Sequence, residues 1–137
     1  MSKMLVILIT GKDNINTEMV AFSFTANAVK NAKSTVEFMY LGRGVQAANS
    51  RQKSSPQFKD QLDIIQKLGI PVKICEVSMA VEGLTSNDIF TGLELVYGAV
   101  ETDARIKDGY SVITFECIRI SIRYIQDIIS LNFRHYR

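Results

Sequence analysis

The sequence has few of the residues that build disulfide-stapled or metal-bound proteins. Among its 137 residues are only two cysteines and one histidine. Two cysteines are too few for a disulfide framework, so a reducing cytoplasm is the expected location. Two widely separated cysteines and a single histidine also fail to form a zinc-ligand pattern. We therefore predict no metal site and no cofactor.

Long apolar runs and strong charge are absent as well. No run approaches the roughly 18 apolar residues of a membrane-spanning helix. The apolar stretch at the N-terminus ends at Thr10, which is too short for a signal sequence with a cleavage site. The formal net charge of +2 implies neither a nucleic-acid partner nor an acidic substrate. We expect a protein that binds neither membranes nor nucleic acid.

What the sequence does contain is an alternation of apolar runs and helical stripes. With 47% hydrophobic residues, the chain can bury a core within one domain. Continuous apolar runs predict four strands, at residues 4–9, 35–41, 72–77 and 111–115. Helical spacing predicts helices from Ile15, from Ser55 and from Thr85 or Ser86, the last with the stripe Ile89, Leu93, Val96 and Val100. Residues 45–55 are predicted to form a loop with at most a helical turn.

Strands that alternate with helices indicate a mostly parallel sheet with right-handed crossovers. The predicted fold is a three-layer α/β domain over residues 1–116, with helices on both faces of the sheet. Three loops should meet at the carboxyl ends of its strands, at Gly11-Lys12, at Gly42-Arg43-Gly44 and at residues 75–83. Open α/β sheets bind ligands at this edge, so the functional site is expected there.

Residues 117–137 fall outside this alternation. Ile118 to Tyr124 alternates apolar and polar residues, which predicts a one-faced strand, and a short helix is predicted to follow. The segment holds four arginines and one aspartate, a net charge of +3. We predict a C-terminal extension that packs on the body or on a neighbouring subunit. Contact with a membrane surface or polyanion and disorder are the alternatives.

Cys75 ends the predicted third strand and is the main candidate for chemistry. A buried small hydrophobe is one interpretation. The other is a reactive thiolate whose pKa is lowered by a helix N-terminus, Lys12 or Arg43, against the opposing charges of Glu76 and Glu82. Because His135 is the only histidine and lies in the tail, a Cys–His dyad is not expected. A thiol without a strong base suits sulfur exchange, in which thiol leaving groups need little acid assistance.

Three further side chains are weaker candidates. Lys12 and Arg43 are placed to hold an anion such as thiosulfate or sulfite, or else are solvated surface cations. Cys117 becomes a resolving thiol if the predicted third and fourth strands are neighbours, and is otherwise a structural cysteine. Gly42-Arg43-Gly44 lacks the full dinucleotide fingerprint and follows the second strand, so nucleotide binding is disfavoured.

At residues 4–116 the sequence resembles the DsrE/DsrF/DsrH-like family of small sulfur-relay proteins. The likeness is to the larger, DsrE-like branch of archaea and bacteria. It is carried by Val72 to Met79 with Cys75 inside, by Gly83-Leu84, Asn87-Asp88-Ile89 and Gly92-Leu93-Glu94, and by Tyr40-Leu41-Gly42.

The resemblance implies a flavodoxin-like fold, assembly into homotrimers or homohexamers, and a cysteine that carries sulfur as a persulfide or thiosulfonate. Cys75 falls on that cysteine. The implied partners are a rhodanese-like donor and a small sulfur-carrier protein. We expect Ser78 to donate a hydrogen bond to the bound group, or else to be exposed and only cap the turn. Backbone N–H groups near residues 83–87 are expected to hold the anion.

The predicted function is therefore a sulfur carrier, or sulfurtransferase-type relay protein, that binds sulfane sulfur or thiosulfonate on one thiolate. Whether the protein turns over as an enzyme or only relays sulfur stays open at this point. The alternative is a non-catalytic assembly or regulatory subunit of the same fold, with a protonated and unreactive Cys75. A third class is a small-molecule or nucleotide-binding module.

Overall fold

Five parallel strands form a single sheet, with helices packed on it. The computed structural model describes residues 1–11 and 14–116. The sheet has the order β4-β3-β2-β1-β5, and every neighbouring pair is parallel. In chain order the elements are β1 (Lys3–Leu8), α1 (Ile15–Lys30), β2 (Thr35–Tyr40), a 3-10 helix (Gly42–Ala48), α2 (Ser55–Lys67), β3 (Val72–Cys75), α3 (Glu76–Val81), β4 (Glu94–Val96), α4 (Gly98–Lys107) and β5 (Ser111–Phe115). This confirms the predicted α/β class.

Local sequence accounts for most of the element boundaries. Asn14 accepts a hydrogen bond from the Thr17 backbone N–H at 3.2 Å, which caps α1. Pro56 lies in the first turn of α2, where a missing N–H costs little. The chain leaves α2 at Gly69, whose φ of +77° suits glycine.

The order of the strands places helices on both faces. From β1 to β3 the chain steps in one direction across the sheet, so right-handed crossovers put α1 and α2 on the same face. Their core includes Phe22 and Phe38, whose stacked ring centroids are 4.9 Å apart. From β4 the chain returns to the far edge at β5, which puts α4 on the opposite face. There the buried cluster is smaller, and consists of Leu5, Ile7, Met39 and Val96.

The predicted third helix is wrong. Its start does form: the Thr85 backbone N–H and hydroxyl donate to Asp88 at 2.8 and 3.0 Å. The turn does not continue, and Gly92 takes a φ of +83° before the edge strand β4. Val96 is buried in this strand, whereas Val100, the last residue of the supposed apolar stripe, is 68% exposed. The apolar residues at helical spacing therefore belong to different elements, among them the strand β4 and a separate helix that begins at Gly98.

Two other boundaries differ from the prediction. The third strand ends at Cys75 rather than Val77, because its partner β2 ends at Tyr40, opposite Ile74, and the chain then turns into α3. The stretch predicted as a loop with at most one helical turn begins inside the 3-10 helix, which starts earlier at Gly42 and covers residues 45–48. Three side chains of this helix are buried, namely Val45, Ala47 and Ala48. The prediction missed them because residues 45–55 are mostly polar.

Several predictions concern residues outside the described ranges, namely Lys12, Cys117, His135 and the strand and helix of the C-terminal extension. The two strands expected to bring Cys75 and Cys117 together are β3 and β5, and β2 and β1 lie between them. The condition set for a resolving thiol is therefore not met. Across the described residues, no helix has the length and hydropathy needed to span a bilayer.

Candidate functional site around Cys75

Cys75 lies where three elements meet at the carboxyl edge of the sheet. It is the last residue of β3 and the N-cap of α3, with φ −76° and ψ 118°. Its side chain shares the face of the sheet that α4 covers, opposite Val96 of β4 in the strand register. Only 4% of the residue is exposed. The strand ends at the thiol, so the backbone turns around the sulfur instead of running past it.

The sulfur of Cys75 is surrounded by hydrogen-bond donors. They are the Ser78 hydroxyl and the backbone N–H groups of Val77, Ser78 and Gly98. Burial raises the pKa of the Cys75 thiol, but these hydrogen bonds to the charged form outweigh it, and the pKa falls below its ordinary value of 9.0. The polar groups near the sulfur thus favour the thiolate, as at reactive cysteines.

Ser78 is oriented by the loop that follows β2. The Gly42 backbone N–H donates to Ser78 Oγ at 2.8 Å, so the hydroxyl accepts from the loop and its own hydrogen serves Cys75. Gly42 has a φ of +57°, which an L side chain rarely adopts. This glycine therefore lets the loop present its N–H to Ser78.

Gly98 brings the start of α4 against the sulfur. A Cβ at this position would lie 2.5 Å from Leu41 Cδ1 and 3.2 Å from Cys75 Sγ. Because only a hydrogen atom fits there, glycine allows the first amide of the helix to reach the thiol. The positive end of the α4 dipole then adds to the stabilisation of negative charge at the sulfur.

The three loops expected at this edge do meet. A Cβ on Gly11 would lie 3.0 Å from the Arg43 carbonyl oxygen, which brings the first two loops into contact, and Gly42 joins the second loop to α3. The Arg43 side chain is 75% exposed, with Nε 3.9 Å from Glu82 Oε1. Arg43 and Glu82, expected to act on the thiol with opposite effects, therefore lie against each other.

Three of the amides near residues 83–87, which were expected to hold an anion, are already hydrogen-bonded within the protein. Gly83 N–H donates to the Ala80 carbonyl, Leu84 N–H to the Met79 carbonyl and Thr85 N–H to Asp88. The amides that face the sulfur come instead from Val77, Ser78 and Gly98. Gly98 was missed because residues 89–100 were read as one helix, although Tyr97-Gly98 follows a short apolar strand.

Apolar side chains are exposed on the elements around the thiol. They are Val77 and Val81 of α3, Leu95 and Tyr97 at β4, and Val100 of α4. An open cavity of about 230 Å³ lies beside α3, lined by Glu76, Met79, Ala80, Leu84, Thr85, Ser86 and Leu95. Among the described residues, no group of three or more His, Cys, Asp and Glu side chains is arranged to hold a metal ion.

A comparison with known protein families identifies the family to which this chain belongs. The sequence model of the DsrE/DsrF-like family matches residues 3–115. This chain belongs to the DsrE/DsrF-like family. Membership indicates a function of the sulfur-relay type and confirms the family expected from the sequence. A search of the curated proteins found no match.

Solved structures of similar fold come from archaea and bacteria. A protein of unknown function from Methanobacterium thermoautotrophicum, MTH1491, has a TM-score of 0.69 at 15% identity, over 83% of this chain and 99% of its own. The ychN protein of E. coli has a TM-score of 0.69 at 16% identity, over 84% and 100%. BT1422, a conserved protein of unknown function from Bacteroides thetaiotaomicron, has a TM-score of 0.64 at 18% identity, over 83% and 95%. At these identities the likeness shows the fold.

Proposed function

We propose that this protein carries sulfane sulfur, or a thiosulfonate group, on the Cys75 thiolate and passes it to a partner thiol. The observation that supports this proposal is a buried cysteine at the carboxyl edge of the sheet, with Gly98 packed against its sulfur and polar groups nearby that lower its pKa. A cysteine that serves only as a small core side chain needs none of them. The alternative of a regulatory subunit requires a thiol that reacts no faster than a free cysteine at any pH, and alkylation between pH 5 and 9 separates the two.

Transfer requires two attacks of a thiolate on sulfur. In the first, Cys75 Sγ attacks the outer sulfur of a donor persulfide, forms the new S–S bond of a Cys75 persulfide and releases the donor as a thiolate. In the second, an acceptor thiolate attacks that same outer sulfur and Cys75 leaves as a thiolate. The sulfane sulfur keeps its oxidation state, so neither step needs an external oxidant or reductant.

The thiosulfonate form arises from a related exchange. Cys75 thiolate attacks an inner sulfur of tetrathionate, which breaks the central S–S bond and releases thiosulfate. The protein then carries an S-thiosulfonate on Cys75. In both routes the hydrogen bonds from Ser78 and Gly98 stabilise negative charge on Cys75 when it is the leaving group, which favours delivery to the acceptor.

The proposed assembly is a homotrimer or homohexamer in the cytoplasm, served by a rhodanese-like donor and a small sulfur-carrier acceptor. These partners follow from the family resemblance. The exposed apolar side chains around Cys75, among them Val81 and Val100, support a surface that another protein covers. Whether this chain turns over alone or acts only within a relay depends on those partners.

The test is the intact mass of the protein after incubation with tetrathionate, thiosulfate or polysulfide. Wild type, Cys75→Ser and Cys117→Ser are compared. We expect a mass gain of one or more sulfurs, or of a thiosulfonate group, that a reductant reverses and that only Cys75→Ser loses. Loss in both variants would add Cys117 as a partner thiol, and no adduct on the wild type with any donor would overturn the proposal.

A further inference from the structure

A group of four charged side chains, of which Lys73 and Glu37 are buried, lies between the sheet and α4, on the same face of the sheet as Cys75. Lys73 Nζ is 3.2 Å from Glu37 Oε1 and also pairs with Glu101 Oε1. Arg105 lies 3.6 Å from Glu37 and 3.7 Å from Glu101. The Lys73 side chain is only 6% exposed. We call these four residues the ion cluster.

The ion cluster connects the two elements whose ends enclose the sulfur. Lys73 precedes Cys75 by two positions on β3, so the two side chains share one face of the sheet. Glu101 follows Gly98 by three positions on α4, about one helical turn. The Lys73–Glu101 pair thus joins β3 to α4 directly beside the point where Gly98 meets Cys75 Sγ.

Besides its connection to β4, whose Val96 pairs with Cys75, the first turn of α4 is joined to β3 by the Lys73–Glu101 pair. Its N-cap, Tyr97, makes no side-chain capping bond, and the Thr102 hydroxyl donates back to the Gly98 carbonyl within the same helix. A buried ammonium group, by contrast, strongly resists losing its carboxylate partner. Separation of α4 from β3 would leave Lys73 and Glu101 without each other, and so the pair restrains the start of the helix.

We propose that Lys73 and Glu101 are positioning residues that hold the first turn of α4 so that the Gly98 N–H stays on Cys75 Sγ. They touch neither the sulfur nor its cargo. The importance of this restraint for sulfur transfer rests on the proposed function. The restraint itself is a feature of the geometry and does not depend on that function. The restraint keeps one donor on the thiolate through both steps of the exchange.

A direct effect of charge has to be separated from positioning. The charged groups on the elements around Cys75 are Lys73 on its own strand, Glu37 on β2, Glu94 on β4, Glu76 and Glu82 at α3, and Glu101, Asp103, Arg105 and Lys107 on α4. Removal of a carboxylate by its charge alone makes a nearby thiolate easier to form. Removal of the restraint makes it harder, because a hydrogen bond is lost. The two effects have opposite signs for Glu101.

The experiment measures the alkylation rate of Cys75 by iodoacetamide from pH 5 to 10, in Cys117→Ser protein. We expect Glu101→Leu to move the midpoint to higher pH and to lower the rate at pH 7 by roughly three- to tenfold, as for a lost hydrogen bond to a charged group. Asp103→Leu is the matched control, since it removes an exposed carboxylate from the same helix. A midpoint in Glu101→Leu that equals or falls below that of the control overturns the proposal.

Glu101→Gln covers the case in which Glu101→Leu does not fold. Glutamine keeps an oxygen for Lys73 but removes the charge, so positioning predicts a midpoint no higher than that of wild type, with the Gly98 amide resonance still titrating together with Cys75. A raised midpoint, or a Gly98 resonance that no longer titrates with Cys75, would overturn positioning. The two proposals can fail separately, because alkylation needs no sulfur donor. If the wild type gains no sulfur by intact mass, the proposed function is rejected. The alkylation midpoints still test the role of the ion cluster in that case.

Discussion

At the scale of single residues, burial raises the pKa of the Cys75 thiol and hydrogen bonds from nearby groups lower it by more. Arg43, one expected source of positive charge, has its guanidinium near Glu82 at the surface. Ser78, by contrast, is held by Gly42 so that its hydroxyl serves the sulfur. A hydroxyl and three amides lower the pKa of a buried thiol without bringing a full charge into a site with little water.

Replacement of Ser78 by alanine should raise the pKa of Cys75 towards its ordinary value. Since the thiolate is the reactive form, the alkylation curve should shift to higher pH, and the rate at pH 7 should fall about tenfold, as expected for a hydrogen bond worth on the order of 1.5 kcal/mol. The measurement is the pH dependence of alkylation between pH 5 and 10. Ser86→Ala, in the exposed loop after α3, is the control, and equal curves for both variants would contradict this role of Ser78.

At the scale of elements, the decisive feature is where helices begin. α3 starts directly after Cys75 and α4 starts at Gly98, so two helix starts converge on one sulfur. The approach of α4 depends on a missing side chain, because Leu41 Cδ1 and Cys75 Sγ occupy the space that a Cβ on Gly98 would need. Replacement of this glycine therefore tests the packing and the chemistry of the site together.

Gly98→Ala should displace the start of α4 from Cys75. We expect a loss of stability of roughly 1–3 kcal/mol, typical of an added methyl group in a packed site, together with slower alkylation of Cys75 at pH 7. Urea denaturation and alkylation rates measure the two effects. Ala99→Ser adds one atom at the exposed neighbouring position and should change neither. Normal alkylation in Gly98→Ala would show that its amide is not needed by the thiolate.

At the scale of the whole molecule, the open question is what covers the apolar surface around the site. Val77 and Val81 stand on one side of α3 at helical spacing, and are 57% and 82% exposed. Leu95, Tyr97 and Val100 add exposed apolar side chains from β4 and α4. Apolar groups concentrated on the elements around a functional site are typical of a protein interface.

Val81→Glu should weaken the proposed homo-oligomer. A carboxylate buried without a partner in an apolar interface is strongly unfavourable, so the mass in solution should fall towards that of one 15.4 kDa chain. Light scattering coupled to size exclusion gives the mass at several concentrations. Val20→Glu, on an exposed position of α1, is the control. A wild type that is monomeric, or equal masses for both variants, would contradict this use of the surface.

Much of the fold and part of the site could be predicted from local patterns. The strand at residues 4–9 was recognisable because burial on both faces leaves a continuous apolar run, and the helix from Ile15 because amphipathic spacing leaves a periodic one. The place of Cys75 was predictable for a similar reason, since a thiol at the end of an apolar run lies at the ligand-binding edge of a parallel sheet. Lys73 was not identified as a buried charge, because the local sequence around a lysine in a strand does not show whether carboxylates from other elements pair with it.

The sequence by itself determined the α/β class, the family and the cysteine at the end of a strand, because these depend on contacts within short stretches of chain. Only the tertiary structure decided that β4 and α4 replace one long helix, and that Gly98, Gly42 and Ser78 converge on the sulfur. These contacts join residues distant along the chain, and their energies come from packing and buried hydrogen bonds that no local pattern encodes. The ion cluster belongs to the same class, since Glu37, Lys73 and Glu101 meet only when the sheet and α4 have assembled.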